Sequence, residues 1–164
     1  MHSYGGASMN QQDLGSGHVW GVFMVAAFLG LGWGLSVSST AVAQSGQLVI
    51  LAIGQWRGID SFHQTQGKAI LVRVPDGRRY IRFEGFRVTN GPDLYVYLSG
   101  HPSPRTGTQL HEGAAFEVAR LKGNIGSQNY ELPPDLDLSK FKSVAIYCKR
   151  FSVMFGSAQL IPPP

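Results

Sequence analysis

The side chain with the clearest potential for chemistry is Cys148, the only cysteine in a chain of 164 residues. A single cysteine cannot close a disulfide within the chain, so its thiol is free unless an external group binds it. Cys148 ends the most strand-like run of the sequence, and alternation places it on the same face as Val144 and Ile146. A cysteine on an apolar strand face packs as a small hydrophobic residue, and a buried thiol is inert.

Two cations follow the cysteine directly. Lys149 and Arg150 would favour the thiolate if the sulfur lay near solvent, because a neighbouring positive charge lowers the pKa of a thiol. Beyond them the apolar positions shift by one residue, to Phe151 and Val153, which predicts either a β-bulge or a tight corner at the two cations. The sequence leaves two interpretations of the cysteine open: an inert core thiol and a redox group tuned by its position.

Asn90, Gly91, Pro92 and Asp93 are typical of a turn, since each residue type suits the backbone conformations that turns require. The carboxylate of Asp93 is expected to cap backbone N–H groups within this turn. Turn chemistry alone accounts for the four residues, and they are also kept as a candidate site.

Several aromatic residues could serve either function or packing. Trp56, Tyr95, Tyr97 and Tyr147 could form an aromatic surface for a ligand or partner, or they could cover the second face of a sheet.

Sequence motifs for several common activities are missing. The sequence contains no Gly-x-Ser-x-Gly elbow, no His-Glu-x-x-His pair and no glycine-rich phosphate loop. One cysteine with His63, His101 and His111 could close a tetrahedral zinc site only by using nearly all four of these side chains or by adding carboxylates, so no metal is predicted. Autonomous catalytic activity is not expected.

From residue 46 onward, short β-branched and aromatic runs alternate with turn residues, which is typical of an all-β fold. Asp76-Gly77 between two such runs predicts an antiparallel hairpin. In the run at residues 94–98, the leucines and valine alternate with Tyr95 and Tyr97, so the two sets should face opposite sides of a sheet. Residues 99–113 are predicted to be a long surface loop, and residues 116–121 and 129–132 are weaker strand candidates.

The first 43 residues differ from the remainder. Residues 19–37 are uncharged and mostly apolar, long enough for a tilted helix to cross a membrane, and Ala41-x-Ala43 suits a signal peptidase. Residues 1–43 are therefore interpreted as a signal peptide or a membrane anchor, and residues 44–54 as a linker or first strand. We expect the protein to be exported, and to be membrane-anchored, periplasmic or extracellular.

The exported part is basic, because every Lys and Arg lies at Arg57 or later and the net charge is +4. Outside the cytoplasm, the partners that a basic protein could meet include anionic lipid, cell-wall polymer and acidic proteins. The arginines are spread along strands and are not interleaved with aromatic residues, so nucleic acid is not expected as a partner.

Five segments of the chain carry a resemblance to a known family. They are Phe62-His63-x-x-x-Gly67, Arg82-Phe83-Glu84-x-Phe86, residues 90–98, Gly126-x-Gln128-x-Tyr130-Glu131-Leu132-Pro133, and Ser143-Val144-x-Ile146-Tyr147-Cys148-x-x-Phe151-x-Val153-x-Phe155-Gly156-x-Ala158. In order and spacing they resemble the DM-thirteen domain, an electron-transfer family grouped with DOMON-type β-sandwiches.

The resemblance implies a single antiparallel β-sandwich over residues 55–161 and a redox role for the family's lone cysteine, which matches Cys148. That role is either a free thiol or a ligand to a cofactor such as haem. With no Cys-x-x-Cys-His sequence present, any haem would be non-covalent. His63 matches the family pattern and is the candidate second ligand. Tyr147 stands where the family usually has Trp, which implies a weaker stacking contact there.

Together these observations predict an exported redox or electron-transfer domain that acts through its lone cysteine, with a redox partner protein. The membrane would be a further partner if the N-terminal segment is retained. The alternative is a non-enzymatic binding module of the cell envelope, which would use the basic face and the loop at residues 99–113.

Overall fold

The computed structural model describes residues 46–164 of the chain. This part folds into eight antiparallel strands with short connections. The strands are β1 (Val49–Gly58), β2 (Thr65–Arg73), β3 (Arg79–Val88), β4 (Leu94–Ser99), β5 (Ala115–Arg120), β6 (Gln128–Leu132), β7 (Ser143–Cys148) and β8 (Val153–Gln159). A short helix α1 (Gly107–His111) lies between β4 and β5, and a 3-10 turn (Leu138–Lys140) precedes β7.

The predicted signal peptide or anchor at residues 1–43 lies outside the described residues. Within residues 46–164, neither helical segment is long and apolar enough to cross a membrane.

The strands form one continuous sheet in the order β5-β4-β7-β8-β1-β2-β3-β6. β1 joins its two halves, because residues 49–55 pair with β2 whereas residues 56–58 pair with β8. The sheet folds over at β1, and its end strands β5 and β6 come into contact. The predicted all-β antiparallel fold is therefore confirmed, in a form between a sandwich and a barrel.

A single core fills the space inside the folded sheet. Its largest fully buried side chains include Tyr130, Phe83, Phe86 and Ile81. Trp56 packs edge-on against Phe83, with their ring centroids 5.0 Å apart. Such T-shaped contacts between aromatic rings add to the hydrophobic stabilisation that burial provides. Apolar residues that alternate along each strand therefore account for the closure of the sheet.

The hairpin predicted at Asp76-Gly77 is confirmed, since β2 and β3 pair along their length and Gly77 has the positive φ of 88° that such turns require. The alternation predicted for β4 is also confirmed. Leu94, Val96 and Leu98 lie in the core, whereas Tyr97 belongs to a second apolar cluster on the outer face. Both weaker strand candidates form strands, as β5 and β6.

Residues 149–152 form a tight turn between β7 and β8, which confirms the corner among the two alternatives for this position. The bulge lies elsewhere, in β8, where Phe155 is the extra residue opposite Ile146 and Tyr147. Phe151 is 64% exposed in the turn, so the expectation that it continues the apolar strand pattern was wrong.

The prediction of a surface loop over residues 99–113 was wrong in part, because α1 forms within it. Thr106 caps the helix by accepting a hydrogen bond from the backbone N–H of Gln109 at 3.2 Å. Leu110 of α1 is fully buried against the outer face of β4, β7 and β8. The helix therefore covers an apolar patch that the alternation of these strands leaves outside the main core.

Candidate functional site

Four connections meet at one end of the folded sheet. They are the residues 59–64, 89–93, 121–127 and 149–152, and we call them the upper loops. Antiparallel pairing brings them together, since each follows a strand that runs toward this end and precedes one that runs away from it.

Hydrogen bonds tie the upper loops to one another. The backbone N–H of Thr89 donates to the carbonyl of Gln64 at 3.0 Å, and the N–H of Lys149 donates to the carbonyl of Asp93 at 3.0 Å. The side-chain amide of Asn124 donates to Oδ1 of Asn90 at 2.6 Å. These hydrogen bonds hold together segments that are far apart in the sequence. The upper loops contain most of the candidate site residues that were predicted from the sequence.

Cys148 ends β7 directly below the upper loops. Its side chain has no exposed surface, and it belongs to the main core together with Val144 and Ile146. Its neighbours across the strands are Leu94 on β4 and Val153 on β8. In this arrangement the thiol behaves as a small core residue and is closed to reagents in solution.

The two cations that follow the cysteine do not act on it as the sequence suggested. Lys149 turns to the outer face, where its ammonium donates to Oε2 of Glu117 at 2.9 Å and lies 4.2 Å from the centroid of the Tyr95 ring. The charge of Lys149 is therefore used on the opposite side of the sheet from the sulfur. Arg150 lies exposed in the turn.

His63 lies in the first upper loop, with its ring packed edge-on against Phe155 at a centroid distance of 4.6 Å. Its Nδ1 lies 2.9 Å from Oδ2 of Asp60, and its backbone N–H donates to Oδ1 of the same carboxylate at 2.7 Å. These hydrogen bonds lower the pKa of Asp60. Because Nδ1 is held by the carboxylate, Nε2 is the ring nitrogen that could bind a ligand or metal.

A haem held by Cys148 and His63 does not fit this arrangement. Ligation by Cys148 would require its sulfur to leave the packed core, since the side chain has no exposed surface. Within residues 46–164, no three His, Cys, Asp or Glu side chains are grouped as metal ligands.

The turn at residues 90–93 has a clear structural role. A Cβ atom on Gly91 would lie 2.7 Å from Cδ2 of Leu94 and 2.8 Å from Cζ of Phe155, so a side chain here would force these two buried side chains to shift. The carboxylate of Asp93 does not cap the turn as expected, and its Oδ1 lies 3.8 Å from Nη2 of Arg120 on β5. Pro92 is exposed at the tip of the turn.

Tyr147 is adjacent to Cys148 in the chain but faces the opposite side of β7. It is 8% exposed and packs on the outer face with Leu110 and Met154. The structure therefore separates this candidate from the cysteine that it accompanies in the sequence.

Sequence reasoning missed Glu117, which organises the outer face. Tyr97 donates its hydroxyl hydrogen to Oε2 of Glu117 at 2.6 Å, and the same oxygen accepts from Lys149. The pKa of Tyr97 is raised, mainly by burial and in second place by the hydrogen bond to Glu117. The pKa of Glu117 is lowered by the hydrogen bonds that it accepts from Tyr97 and Lys149. No local pattern signals this contact, because it depends on the pairing of β4 with β5.

Comparison with known proteins identifies the family. No curated protein and no solved structure matches the chain. A family model described as electron transfer DM13 matches residues 59–160, which span β2 to β8 and include all four upper loops. The chain therefore belongs to the electron transfer DM13 family.

Proposed function

We propose that this protein is an exported electron-transfer domain in which Cys148 is the redox group and acts as a free thiol. The observation that carries the proposal is the family match over residues 59–160, which includes the strand that ends at the chain's only cysteine.

Burial determines how such a thiol would react. A thiolate must reach the sulfur of a partner's disulfide, and full burial of Cys148 prevents that contact in the closed structure. The turn at residues 149–152 covers this end of β7, and its members are exposed, with Ser152 at a φ of 55°. Turns of this kind open locally more readily than the strands that they join. We propose that opening of this turn exposes the sulfur.

The reaction would be thiol–disulfide exchange with a redox partner protein. The Cys148 thiolate attacks one sulfur of the partner's disulfide, so that a new S–S bond forms, the old one breaks, and the second partner sulfur leaves as a thiolate. The proton that Cys148 loses ends on that leaving thiolate or in water. Because haem does not fit between Cys148 and His63, the proposal includes no cofactor step.

Glutathione disulfide provides a direct test with the purified full chain. The native protein should form a mixed disulfide slowly, at a rate limited by opening, and the Cys148→Ala variant should form none. An absorbance spectrum recorded on the same sample reports any bound cofactor. If the wild type forms no adduct under conditions where it unfolds and refolds reversibly, the proposal is wrong.

Export is proposed from the apolar segment at residues 19–37 and from Ala41-x-Ala43. The intact mass of protein from the envelope fraction would distinguish a cleaved signal peptide from a retained membrane anchor. A chain that begins at Gln44 indicates a cleaved signal peptide, and a full-length chain extracted only by detergent indicates an anchor. Full-length protein in the cytoplasm would contradict export.

The burial of Cys148 favours one alternative, a binding module of the cell envelope. Exposed cations such as Arg57, Arg73 and Arg87 would then bind an acidic protein or anionic lipid. In that case, Arg57→Glu, Arg73→Glu and Arg87→Glu abolish co-sedimentation with anionic vesicles or an acidic partner, whereas Cys148→Ala has no effect.

A further inference from the structure

Three aromatic rings form a cluster on the outer face of the sheet, on the opposite side from the main core. The rings of Tyr97, His111 and Tyr147 are mutually perpendicular, and their centroids lie 5.9 to 6.0 Å apart. We call them the tyrosine cluster. Leu110 of α1 and Met154 of β8 pack against it, and Tyr97 is only 6% exposed.

Tyr97 has a proton acceptor in direct contact. Its hydroxyl lies 2.6 Å from Oε2 of Glu117, a distance typical of a strong hydrogen bond to an ionised carboxylate. The hydrogen bond from Lys149 to the same oxygen holds the carboxylate in place. Because the pKa of Glu117 is lowered, its side chain is ionised and able to take a proton at neutral pH.

This contact matters because a phenol that loses an electron becomes a strong acid and must lose its proton as well. Tyr97 starts as a neutral phenol, since burial and the hydrogen bond to Glu117 raise its pKa, so it has a proton to lose with the electron. Tyr130 provides the contrast. It is also buried, but its hydroxyl lies 2.5 Å from Oε1 of Gln128, a neutral amide that cannot take up the proton.

The tyrosine cluster is connected to solvent through an open cavity of about 790 Å³. Tyr147 and His111 line this cavity, together with Glu112 and Ser152. A partner docked there would touch Tyr147, and the centroid of its ring lies 5.9 Å from that of Tyr97.

We propose that Tyr97 is a one-electron donor of this domain, which passes its electron through the ring of Tyr147 to an acceptor docked in the cavity and its proton to Glu117. The step converts the phenol and the carboxylate into a neutral tyrosyl radical and a carboxylic acid, while the acceptor is reduced by one electron. The acceptor is a one-electron oxidant, such as an oxidised metal centre of a partner protein. The inference rests on the proposed electron-transfer function but does not require Cys148.

Photogenerated tris(bipyridine)ruthenium(III) is a suitable oxidant for a test on the full chain. Freeze-quench electron paramagnetic resonance should show a long-lived tyrosyl radical in the wild type. Tyr97→Phe should lose most of that signal, whereas the matched variant Tyr130→Phe should keep it. Near-ultraviolet circular dichroism verifies that both variants are folded.

Two further variants test the roles of the neighbouring residues. Glu117→Gln should slow radical formation on the order of a hundredfold, because the amide cannot accept the proton that a positioned base would take. Tyr147→Phe should slow formation without changing the spectrum of the radical. A wild-type radical yield in Tyr97→Phe, or a wild-type rate in Glu117→Gln, would overturn the inference.

The same measurement separates this inference from the proposal for the cysteine. Cys148→Ala should form the Tyr97 radical at the wild-type rate. An inert Cys148 thiol would therefore contradict only the proposed thiol mechanism. The absence of a Tyr97 radical in the wild type would contradict only the redox role of the tyrosine cluster.

Discussion

Cys148 and Tyr147 are neighbours in β7, yet the sulfur lies in the main core and the phenol ring lies on the outer face beneath α1. Strand alternation imposes this separation. These two consecutive residues are therefore placed in different chemical environments, one apolar and fully closed, the other beside a cavity that Glu112 also lines.

Closure of the core around the thiol predicts its reactivity. Cys148 should react with Ellman's reagent only at the rate at which the native structure opens, because its side chain has no exposed surface. The rate should rise sharply through the urea unfolding transition. Rapid stoichiometric reaction of the folded protein would contradict the packing described for this residue.

Replacing the buried sulfur should distinguish an apolar environment from a polar one. Cys148→Ser should destabilise the domain by about 1–3 kcal/mol more than Cys148→Ala, because serine would bury a hydroxyl among apolar side chains. Urea unfolding monitored by tryptophan fluorescence measures both variants. Equal stability of the two would indicate a hydrogen-bond partner near this site.

A side chain at Gly91 should displace Leu94 and Phe155 at this end of the core. Gly91→Ala should cost about 1–3 kcal/mol, since the added Cβ would lie within 2.8 Å of Leu94 and Phe155 side-chain atoms. Gly123→Ala is the matched control, because the nearest atom to a Cβ there is the carbonyl oxygen of Ile125 at 4.0 Å. Thermal unfolding of both variants gives the comparison, and equal midpoints would exclude a tight seal at Gly91.

The hydrogen bonds of Glu117 predict that the free energy of unfolding falls at acid pH. The folded-state pKa of Glu117 is lowered from its ordinary value of 4.5, so its contribution is complete above 4.5 and is lost as the pH falls through the lowered folded value. Because the Lys149–Glu117 pair is partly exposed, the contribution should be below about 1 kcal/mol.

The free energy of unfolding of wild type and Glu117→Gln between pH 2 and about pH 6, the range in which carboxylates titrate, would show this contribution. The difference between the two proteins should shrink toward the acid end. A difference that does not change with pH would mean that Glu117 titrates normally in the folded state.

Helix α1 should be essential to the outer face. Leu110→Ala should destabilise the domain by about 2–5 kcal/mol, as expected for a fully buried leucine. Thr108→Ala, on the exposed side of the same helix, should have little effect. Equal unfolding midpoints would show that α1 is not docked in solution.

Much of the fold could be predicted from local patterns. Alternation gave the two faces of β4 and β7, and Asp76-Gly77 gave the first hairpin, because side-chain period and turn chemistry are local properties. α1 was missed because a five-residue helix in a segment rich in Gly, Pro and Ser has almost no periodic signal.

The candidate site was only partly predictable. The cysteine and the turn at residues 90–93 were found from residue type, but their association depends on which strands pair. The contact of Tyr97 with Glu117 likewise requires β4 to lie beside β5. Strand order in this sheet is not sequential, so a single sequence could not show that Lys149, directly after β7, would reach Glu117 on β5.

The proposed electron transfer depends on Cys148 reacting as a free thiol after local opening of the turn at residues 149–152. Mass spectrometry of the native full chain incubated with glutathione disulfide measures this reaction. We predict slow addition of one glutathione to the wild type and none to Cys148→Ala, with a rate that increases as mild urea promotes opening. A wild-type protein that gains no glutathione under conditions where it unfolds and refolds reversibly would contradict the claim.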